Sequence, residues 1–492
     1  MRICILTKGE PYGWTRHYIA AFRSSGHEVI VVGPNISDDT LRSFQLEHLD
    51  AAASRTDVES ELDPSIKLVE VLPTRWQPNL IVAISMAGTP LCPSFAGIAC
   101  PRVYLSIDTW QSPRDYLDAL HYDLVFAAQK SFVPRLSAMG AGNVEWLPLA
   151  FNPEQHFPVE MEPRADVSFT GTISLPIHQQ RMELIQRLQR EVKFIGKTAL
   201  FGPTMCALCC AGKLTFNHSA VNDVNMRIFE ALGMGCATLT NSQAEENGLF
   251  DLFNNGEHLV AYSDEEDLIR QTRRYLADDD LRQRIKKAAR AIALEHHTYG
   301  HRADYIVDSV QRLMARTTRS SEIEESPLAA ALPLGVNTVS VVGAGLDNAS
   351  WRGIRSPHRV VIGDAERADA IVVSALGAPT AAVPEMIERS ARKLRDGETL
   401  LLVARPQELE ALDLQIDALA LRRWLVPFGL VLRLALLADE VVPGERVALL
   451  AACKRSTTLS QVIDDTFRTL PENCQQVRNG IDAWQVANTP EL

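Results

Sequence analysis

The stretch from residue 222 to residue 240 constrains the fold most, because its hydrophobic pattern changes from helical to extended within a few residues. Arg227 and Glu230 are three positions apart, so on an α-helix both side chains lie on one face. The opposite arc is apolar and can pack on a sheet; it consists of Ile228, Phe229, Ala231 and Leu232. Two glycines follow, and residues 236–240 are typical of a buried strand. The stretch therefore predicts the helix-to-strand half of a βαβ repeat, and nucleotide ligands commonly bind at the ends of such units.

The same alternation of strands and helices runs through the first 315 residues. A strand at residues 2–7, a glycine-containing loop and a helix at about 16–24 precede a second strand at 29–32, which is typical of a parallel, doubly wound sheet. A proline-rich segment at 148–158 predicts a crossing between two domains, and a strand at 166–171 opens a second α/β unit. The predicted organisation is a first lobe at 1–155, a second lobe at 156–315, a linker at 316–336, a third domain at 337–458 and a tail at 459–492.

Several motifs of the second lobe carry a family resemblance. After Arg227 and Glu230 come Phe250-Asp-Leu-Phe, the acidic run 264–268 and His297-Thr-Tyr-Gly-His-Arg. With the helix motif, they resemble the nucleotide-sugar signature of family-4-type glycosyltransferases, most closely the CgeB-like branch. The resemblance implies the GT-B architecture: two Rossmann-like lobes with the ligand cleft between them, the first on the acceptor side and the second on the nucleotide-sugar side. A retaining reaction is implied by the resemblance alone.

The resemblance also implies roles for particular residues. In family-4 enzymes two glutamates flank seven residues, the first serving the reacting sugar and the second the ribose of the donor. Glu230 matches the second, whereas Asn222 occupies the position of the first, so the role of that first glutamate is in doubt here. As an alternative from the residues themselves, Arg227 and Glu230 form a surface pair at i, i+3, worth only a few tenths of a kcal/mol.

The chemistry of sugar transfer selects the other candidates. Negative charge grows on the leaving diphosphate, so cationic and hydrogen-bonding groups are needed there. The candidates for nucleotide-sugar binding are Arg227, Glu230, Asn225, Thr170, Gly171, Asn241 and His218, with Arg181 of second rank. The catalytic candidates are Asp108 and Asn222, and the acceptor-side candidates are Gly13 and Trp14. Simpler interpretations stay open: Asp108 as a helix cap, Gly13 as a turn residue and His218 as a hydrogen-bonded histidine at a strand end.

The sequence of the third domain predicts a shortened nucleotide-binding fold. A strand at 338–342 ends in Gly343-Ala-Gly345, and a second strand at 359–362 reaches Asp364. With the segments that follow, it resembles the later half of a class I S-adenosylmethionine methyltransferase. Only residues 365–368 separate the second strand from the next, which leaves no room for the usual helix and strand. A non-catalytic scaffold is favoured over a working methyltransferase.

Composition narrows the functional classes. The net charge of -12 and a pI near 5.5 argue against nonspecific nucleic-acid binding. Residues 80–100 are uncharged, but Pro90 and Pro93 argue against a membrane helix there. The first residues lack a signal-peptide core. Together these two observations predict a cytoplasmic protein that is not integral to a membrane. An odd total of nine cysteines predicts reduced thiols, and the cluster at 206–210 is interpreted as buried thiols rather than a metal site.

Together these observations predict a bacterial glycosyltransferase that moves a sugar from a nucleotide-diphosphate sugar to a protein or surface-glycan acceptor. The nucleotide sugar is a substrate, and no separate cofactor or metal is expected. Two alternatives stay open: a binding or scaffold protein of the same fold that has lost catalysis, and a bifunctional enzyme that also transfers methyl groups. The presence of both Arg227 and Glu230 favours the first interpretation.

Overall fold

The first lobe is built on one parallel sheet. A computed structural model describes residues 1–10, 13–43, 55–63, 65–86, 89–95, 97–98, 100–112, 114–139, 141, 143–173, 177–318, 332, 336, 338–346, 359–363, 368–395, 398–412, 424–425, 428–442, 445–454 and 461. The strands of the first lobe are β1 (Arg2–Leu6), β2 (Glu28–Gly33), β3 (Val58–Glu59), β4 (Leu80–Ile84), β5 (Arg102–Ser106), β6 (Leu124–Ala127) and β7 (Val144–Trp146). Its helices are α1 (Trp14–Ser24), α2 (Asp38–Ser43), α3 (Leu68–Val71), α4 (Arg114–Asp118) and α5 (Val133–Ala138), with 3-10 turns at Ala119–His121 and Lys130–Phe132.

These seven strands lie in the order β3-β2-β1-β4-β5-β6-β7, and every pair is parallel. Parallel sheets are covered on both faces, and β4 accordingly consists of five buried apolar residues. The chain starts near the middle of the sheet, moves to one edge and then returns to the other. The predicted doubly wound sheet is confirmed.

The second lobe contains a smaller parallel sheet. Its strands are β8 (Ala165–Thr170), β9 (Phe194–Lys197), β10 (Gly212–Phe216), β11 (Thr238–Asn241) and β12 (Val260–Tyr262). Its helices are α6 (Gln179–Glu191), α7 (Gly202–Cys210), α8 (Met226–Gly233), α9 (Leu249–Leu252), α10 (Glu265–Ala277), α11 (Asp279–His296) and α12 (Tyr299–Thr318), with a 3-10 turn at Ser242–Asn247. The order is β12-β11-β10-β8-β9, and α8 connects the parallel neighbours β10 and β11. The helix-to-strand unit predicted for residues 222–240 is therefore confirmed.

Two helix starts show how local side chains fix the boundaries. Asp278 caps α11, because its carboxylate accepts a hydrogen bond from the Leu281 amide at 2.8 Å. For α10 the sequence predicts a capping box of Ser263 with Glu266, and this prediction is wrong. Asp264 is the N-cap residue, and its carboxylate accepts from the Asp267 amide at 2.8 Å. The cap is therefore the residue after the serine, and the helix begins one position later than the capping box predicts.

Two chain crossings join the lobes side by side. The Phe151 amide donates to the His297 carbonyl at 3.0 Å, and the Tyr299 amide donates to the Phe151 carbonyl at 3.1 Å. The Arg302 guanidinium also donates to the carbonyls of Pro148 and Leu149 at 2.7 and 3.0 Å. From this point α12 packs against α1, and apolar residues of both lobes share one core cluster. Pro148, Leu149 and Phe151, which make these contacts, lie in the predicted crossing at 148–158, and α12 continues to residue 318, past the predicted end of the second lobe at 315.

The third unit is a mixed sheet in the order β14-β13-β15-β16-β18-β17. Its elements are β13 (Thr338–Gly343), β14 (Arg359–Ile362), β15 (Ala370–Ser374), β16 (Thr399–Ala404), β17 (Leu430–Val442), β18 (Glu445–Lys454), α13 (Val383–Ala391), α14 (Pro406–Glu410) and a 3-10 turn at Thr380–Ala382. The first four strands are parallel, whereas β17 and β18 form a long antiparallel hairpin that the sequence interpretation did not foresee. Asp364 and most of the predicted linker lie outside the described residues.

The cysteine cluster lies between α7 and α8. Cys206 and Cys209 are buried there with Cys236 in a small core that also holds two methionines. Among the described residues, no group of histidines, cysteines and carboxylates is arranged to hold a metal ion. Within the same part of the chain, no helix combines the length and the apolar character needed to cross a bilayer.

Candidate functional site

The candidate site lies where residues that follow parallel strands of the two lobes meet. Gln129 follows β6, and its side-chain carbonyl accepts a hydrogen bond from the Val224 amide, after β10, at 2.9 Å. The Gln129 amide group also donates to the Val224 carbonyl at 3.4 Å. Ligands of open α/β sheets bind outside the carboxyl ends of the strands. The sequence candidates of both lobes come from this edge.

The Arg227–Glu230 pair is buried. Arg227 Nη1 lies 2.7 Å from Glu230 Oε2, and the side chains are 17% and 3% exposed. The other carboxylate oxygen, Oε1, lies 3.1 Å from Nε2 of His156, a residue of the crossing between the lobes. The alternative of a surface pair is therefore wrong. The two residues share a helix face as predicted, but that face is turned into the protein.

Further charged groups surround Glu230. Burial alone would raise the pKa of the Glu230 carboxyl, but the charges of Arg227 and His156 outweigh it and lower the pKa to about 2. Arg16 and His17, from the first turn of α1, are close enough to interact electrostatically with the same carboxylate. Burial, then His156 and Arg16, lower the pKa of His17 well below its ordinary value, so His17 is neutral at pH 7. Glu230 is thus an ionised carboxylate held by groups from both lobes.

A second charged cluster contains Asp108, which follows β5. Its carboxylate accepts a hydrogen bond from Gln111 Nε2 at 2.8 Å. Burial raises the pKa of Asp108 to about 7, with further contributions from the charges of Asp223, in the second lobe, and Asp115. Asp115 lies behind Asp108 and accepts hydrogen bonds from Ser85 and Ser106. The predicted catalytic candidate therefore faces a carboxylate of the opposite lobe.

Arg181 ties together two loops of the second lobe. Its Nε donates to the His218 carbonyl at 2.9 Å and its Nη1 donates to the Thr172 carbonyl at 2.7 Å. Burial lowers the pKa of Arg181 to about 10, partly offset by the charge of Asp223, so the guanidinium stays protonated. Arg181 also interacts with Arg227. Two guanidinium groups consequently lie near the same strand ends.

His218 is a hydrogen-bonded histidine at a strand end. Its Nδ1 lies 2.9 Å from the Tyr262 hydroxyl, and the two rings stack. Burial lowers the pKa of His218 to about 3, and the charges of Arg181 and His178 contribute in the same direction. A histidine in this state is a weak base, so the geometry favours the simpler interpretation that the sequence left open.

Other sequence candidates shape the loops. Asn225 caps α8, its side-chain oxygen accepting from the Ile228 amide at 3.3 Å. Asn241 holds the loop after β10 by accepting from the Ser219 amide at 2.7 Å. Asn222 has a left-handed backbone with φ 57°, and its carbonyl accepts from the Asn247 side chain. These asparagines position the loops that follow the strand ends.

Thr170 is the last residue of β8, and Gly171 follows it. The Thr170 hydroxyl is buried and has no hydrogen-bond partner among the described residues. On the acceptor side, Gly13 is the N-cap residue of α1, and a Cβ there would lie 1.7 Å from Glu10 Oε1. Trp14 begins α1, and its indole nitrogen donates to the Ser85 carbonyl at 3.3 Å. A larger residue at position 13 would therefore displace the Glu10 carboxylate.

Four residues of the cleft escaped the sequence interpretation: Arg16, His17, His156 and Asp223. The pairing of His156 with Glu230 joins positions that are far apart in the chain, and no local periodicity announces it. Asp223 offered one usable signal, because it directly follows Asn222, the residue in the position of the missing glutamate.

Comparison with known proteins assigns a class to the second lobe. Residues 178–308 match the family described as glycosyl transferase-like. This match spans α6, α8 and α11 and includes Arg181, Arg227 and Glu230. The segment that supplies the second-lobe half of the cleft is therefore glycosyl transferase-like. No curated protein matches the chain.

Several solved structures are similar to about two thirds of this chain. They include sucrose-phosphate synthase from Thermosynechococcus elongatus, at 12% identity and a TM-score of 0.46, covering 64% of this chain and 99% of that one. A glycosyltransferase from Rickettsia africae ESF-5 aligns at 11% identity and a TM-score of 0.44, covering 64% and 98%. Anabaena Alr3699/HepE in complex with UDP and glucose aligns at 14% identity and a TM-score of 0.45, covering 63% and 100%.

Proposed function

We propose that the protein is a nucleotide-sugar-dependent glycosyltransferase, of the CgeB-like type, that moves a sugar to a protein or surface-glycan acceptor. One observation carries the proposal. The glycosyl transferase-like segment, residues 178–308, supplies Arg181, Arg227 and Glu230, and these residues lie where the strand ends of the two lobes meet.

The second lobe holds the donor in this proposal. Arg227 is the group best suited to the diphosphate, because a guanidinium offers a planar fork of donors to phosphate oxygens and keeps its charge. Arg181, already bonded to two loop carbonyls, adds positive potential without having to move. Arg16 lies on the facing side, near Glu230. Together they stabilise the charge that develops on the leaving nucleotide diphosphate.

Glu230 receives the ribose hydroxyls of the donor. Each carboxylate oxygen has more than one lone pair, so a hydroxyl can be added to the contacts that Glu230 already makes. Its Oε2 is covered by Arg227, which has to turn toward the phosphates before a ribose can reach that oxygen. The proposal therefore requires a rearrangement of Arg227 when the donor binds.

The first test is a thermal-shift screen of UDP-, GDP- and dTDP-hexoses and their free nucleotide diphosphates on the full chain. A ligand that binds only the folded state stabilises it by about 2.7 kcal/mol at a hundred times its Kd. We expect one nucleotide family to raise the Tm. No shift with any of these ligands, together with no release of sugar, contradicts the proposal.

The second test replaces Arg227 with alanine. A hydrogen bond to a charged group contributes about 1.5–3 kcal/mol, so the Kd for the nucleotide diphosphate should rise by about 10- to 150-fold. The matched control is Arg284→Ala, which removes an exposed arginine from α11 of the same lobe and should leave the Kd unchanged. If both variants bind like the parent, Arg227 does not hold the donor. Donor binding without any sugar release, to water or to an acceptor, would instead favour the scaffold alternative.

A further inference from the structure

A cavity of about 200 Å³ lies in the second lobe, at the carboxyl ends of β10, β11 and β12. Its floor consists of three buried side chains, those of Leu184, His218 and Tyr262. Its rim consists of exposed residues from α6 and from the segments after β11 and β12. Drug-sized ligands occupy pockets of about 300–1,000 Å³, so this cavity has room for one ring and not for a whole nucleotide sugar.

The floor presents one hydrogen-bond acceptor, Nε2 of His218. The Tyr262 hydroxyl donates to the Asn217 carbonyl at 3.1 Å, because a carbonyl oxygen can only accept. The hydroxyl has no second hydrogen, so His218 Nδ1, 2.9 Å away, is the donor in the contact between the two side chains. Burial lowers the pKa of His218 to about 3, so the neutral ring carries its single proton on Nδ1. Nε2 keeps its lone pair, and no donor among the described residues bonds to it, although His218 is only 5% exposed.

The charges around the cavity argue against both an anionic and a cationic ligand. Three exposed carboxylates lie on the rim, those of Glu183, Asp264 and Glu265, and none of the described residues that line the cavity is a lysine or an arginine. A phosphate group would be repelled there. Behind the floor, the Arg181 guanidinium donates to the His218 carbonyl at 2.9 Å, and its positive charge disfavours an ammonium group at Nε2. A neutral ligand with hydroxyl donors remains.

A sugar ring has this chemistry, because each hydroxyl both donates and accepts. One hydroxyl can donate to His218 Nε2, and others can donate to the carboxylates of the rim. The rim also carries two amide side chains, Gln180 and Gln243, which can donate to hydroxyl oxygens. Gln243 is already oriented, because its Nε2 donates to the Ser263 carbonyl at 2.7 Å. The cavity therefore offers donors and acceptors that match a neutral sugar.

The position of the cavity indicates which sugar it takes. Every described residue that lines it belongs to the second lobe, between residues 180 and 265. In the proposed function the sugar is transferred where the two lobes meet, so a ring enclosed by one lobe is not the reacting sugar. The rim carboxylates would also repel the diphosphate to which the reacting sugar is bonded. The ring consequently belongs to an acceptor that already contains sugars.

We propose that this cavity is a sugar subsite that holds one neutral, non-reacting ring of a glycan acceptor. The inference rests on the proposed function and narrows its acceptor from a protein or a glycan to a glycan. In this subsite His218 Nε2 accepts from a ring hydroxyl, and the amides of Gln180 and Gln243 orient the ring at the rim.

The first test measures the binding of sugars to the full chain by saturation-transfer NMR. The probes are the methyl glycosides of glucose, galactose, mannose and N-acetylglucosamine, with glucosamine as the cationic comparator and glucose 6-phosphate as the anionic one. We expect at least one neutral glycoside to bind more tightly than both comparators. If no neutral glycoside binds, or if a charged comparator binds most tightly, the inference is overturned. A rise in Tm with a nucleotide-sugar donor would still leave the proposed function standing.

Two variants test whether the bound sugar lies in the cavity. His218→Phe keeps an aromatic ring but removes the buried acceptor, so the Kd for the neutral glycoside should rise at least about fivefold. Gln180→Leu removes one amide at an exposed position, where folding is not at risk, and should raise the Kd about two- to tenfold. Gln189→Leu, at an exposed glutamine of the same helix that does not line the cavity, is the matched control. An unchanged Kd in both variants would place the sugar elsewhere and overturn the inference.

Competition distinguishes a glycan acceptor from the sugar of the donor. With the nucleotide-sugar donor from the thermal-shift screen at saturating concentration, the neutral glycoside should stay bound, because the two ligands occupy separate sites. Displacement of the glycoside by the donor would assign the cavity to the donor's own sugar and overturn the inference. If the glycoside binds in the cavity but no donor binds or releases its sugar, the proposed function fails, and the acceptor role fails with it.

The acceptor role is tested by transfer to the disaccharide and trisaccharide of the glycoside that binds. Gln180→Leu should raise the KM for this acceptor and leave the release of sugar to water unchanged, because Gln180 does not belong to the proposed donor site. Gln189→Leu should change neither quantity. An unchanged KM in Gln180→Leu, with the glycoside Kd raised, would contradict the acceptor role.

Discussion

Replacing Glu230 with glutamine tests whether the charged cluster between the lobes is structural as well as functional. The substitution preserves size and hydrogen-bonding capacity but removes the charge. In the parent protein the carboxylate is 3% exposed and contacts Arg227 at 2.7 Å and His156 at 3.1 Å. The variant therefore leaves a guanidinium that is 17% exposed without its countercharge. The helix pattern alone predicts that this substitution leaves the fold intact, whereas the burial of Glu230 predicts a loss of stability.

Two routes give the same magnitude. The pKa of Glu230 falls from an ordinary 4.5 to about 2, and this preference for the ionised form corresponds to about 3 kcal/mol of stability. Removing one partner of a buried ion pair costs about 3–5 kcal/mol in other proteins. For a lobe of this size, about 2–4 °C are lost per kcal/mol, so the Tm of the second lobe should fall by about 6–12 °C.

The assay is thermal unfolding of the full chain at pH 7, followed by tryptophan fluorescence and circular dichroism. Glu266→Gln is the matched control, because the Glu266 side chain is 77% exposed and lies 3.6 Å from Arg187 on the surface of the same lobe. Exposed pairs contribute about 0–1 kcal/mol, so this control should change the Tm little. If Glu230→Gln melts within about 1 °C of the parent, the pair behaves as a surface pair, and the argument from burial is refuted.

Three further predictions concern the acid stability of the second lobe, the packing of Gly233 and the third unit. The second lobe should lose stability as the pH falls from about 4.5 to about 2. The pKa of Glu230 is lower in the folded state than in the unfolded state, so the ionised carboxylate contributes its full stability only above the unfolded-state pKa. When the Tm is measured as a function of acid pH, this loss should be present in the parent protein and absent in Glu230→Gln. Gly233→Ala should cost about 1–3 kcal/mol in urea unfolding, because the added Cβ would lie 2.2 Å from the Phe151 ring, whereas Gly300→Ala, with 3.4 Å to its nearest neighbour, should be tolerated. Calorimetry of the full chain with S-adenosylmethionine should show no binding, and micromolar affinity would overturn the scaffold interpretation of the third unit.

The sequence predicted the elements whose pattern is local. In α8 and β11 the periodicity changes from helical to extended across Gly233 and Gly235, and the structure ends α8 at Gly233 with Gly235 in a left-handed conformation. Five strands of the first lobe, β1, β2, β4, β5 and β6, were also predicted, because strands buried on both faces form continuous apolar runs between polar loops, whereas the short, partly buried β3 and β7 were not.

The sequence pattern could not predict the tertiary contacts. The helix face of Arg227 and Glu230 was predicted, but its burial depends on His156 from the crossing between the lobes and on α1 from the first lobe. The sequence interpretation missed the hairpin of β17 and β18, because it considered one apolar segment by itself and did not pair it with a second strand. The capping of α10 was missed because two adjacent residues, Ser263 and Asp264, can each cap a helix, and only the backbone geometry selects one.

In the proposed function Arg227 is both the countercharge of a buried carboxylate and the group that binds the donor diphosphate, and it cannot serve both fully at once. If Arg227 turns to the phosphates, Glu230 loses its contact of 2.7 Å. His156 remains on the other carboxylate oxygen, and Arg16 lies nearby on α1. These groups lower the cost of moving Arg227, because the carboxylate stays compensated by groups of the crossing and of the first lobe. In this proposal, donor binding in the second lobe depends on residues of the crossing and of the first lobe. A His156→Ala variant should therefore weaken donor affinity, although His156 itself does not contact the donor.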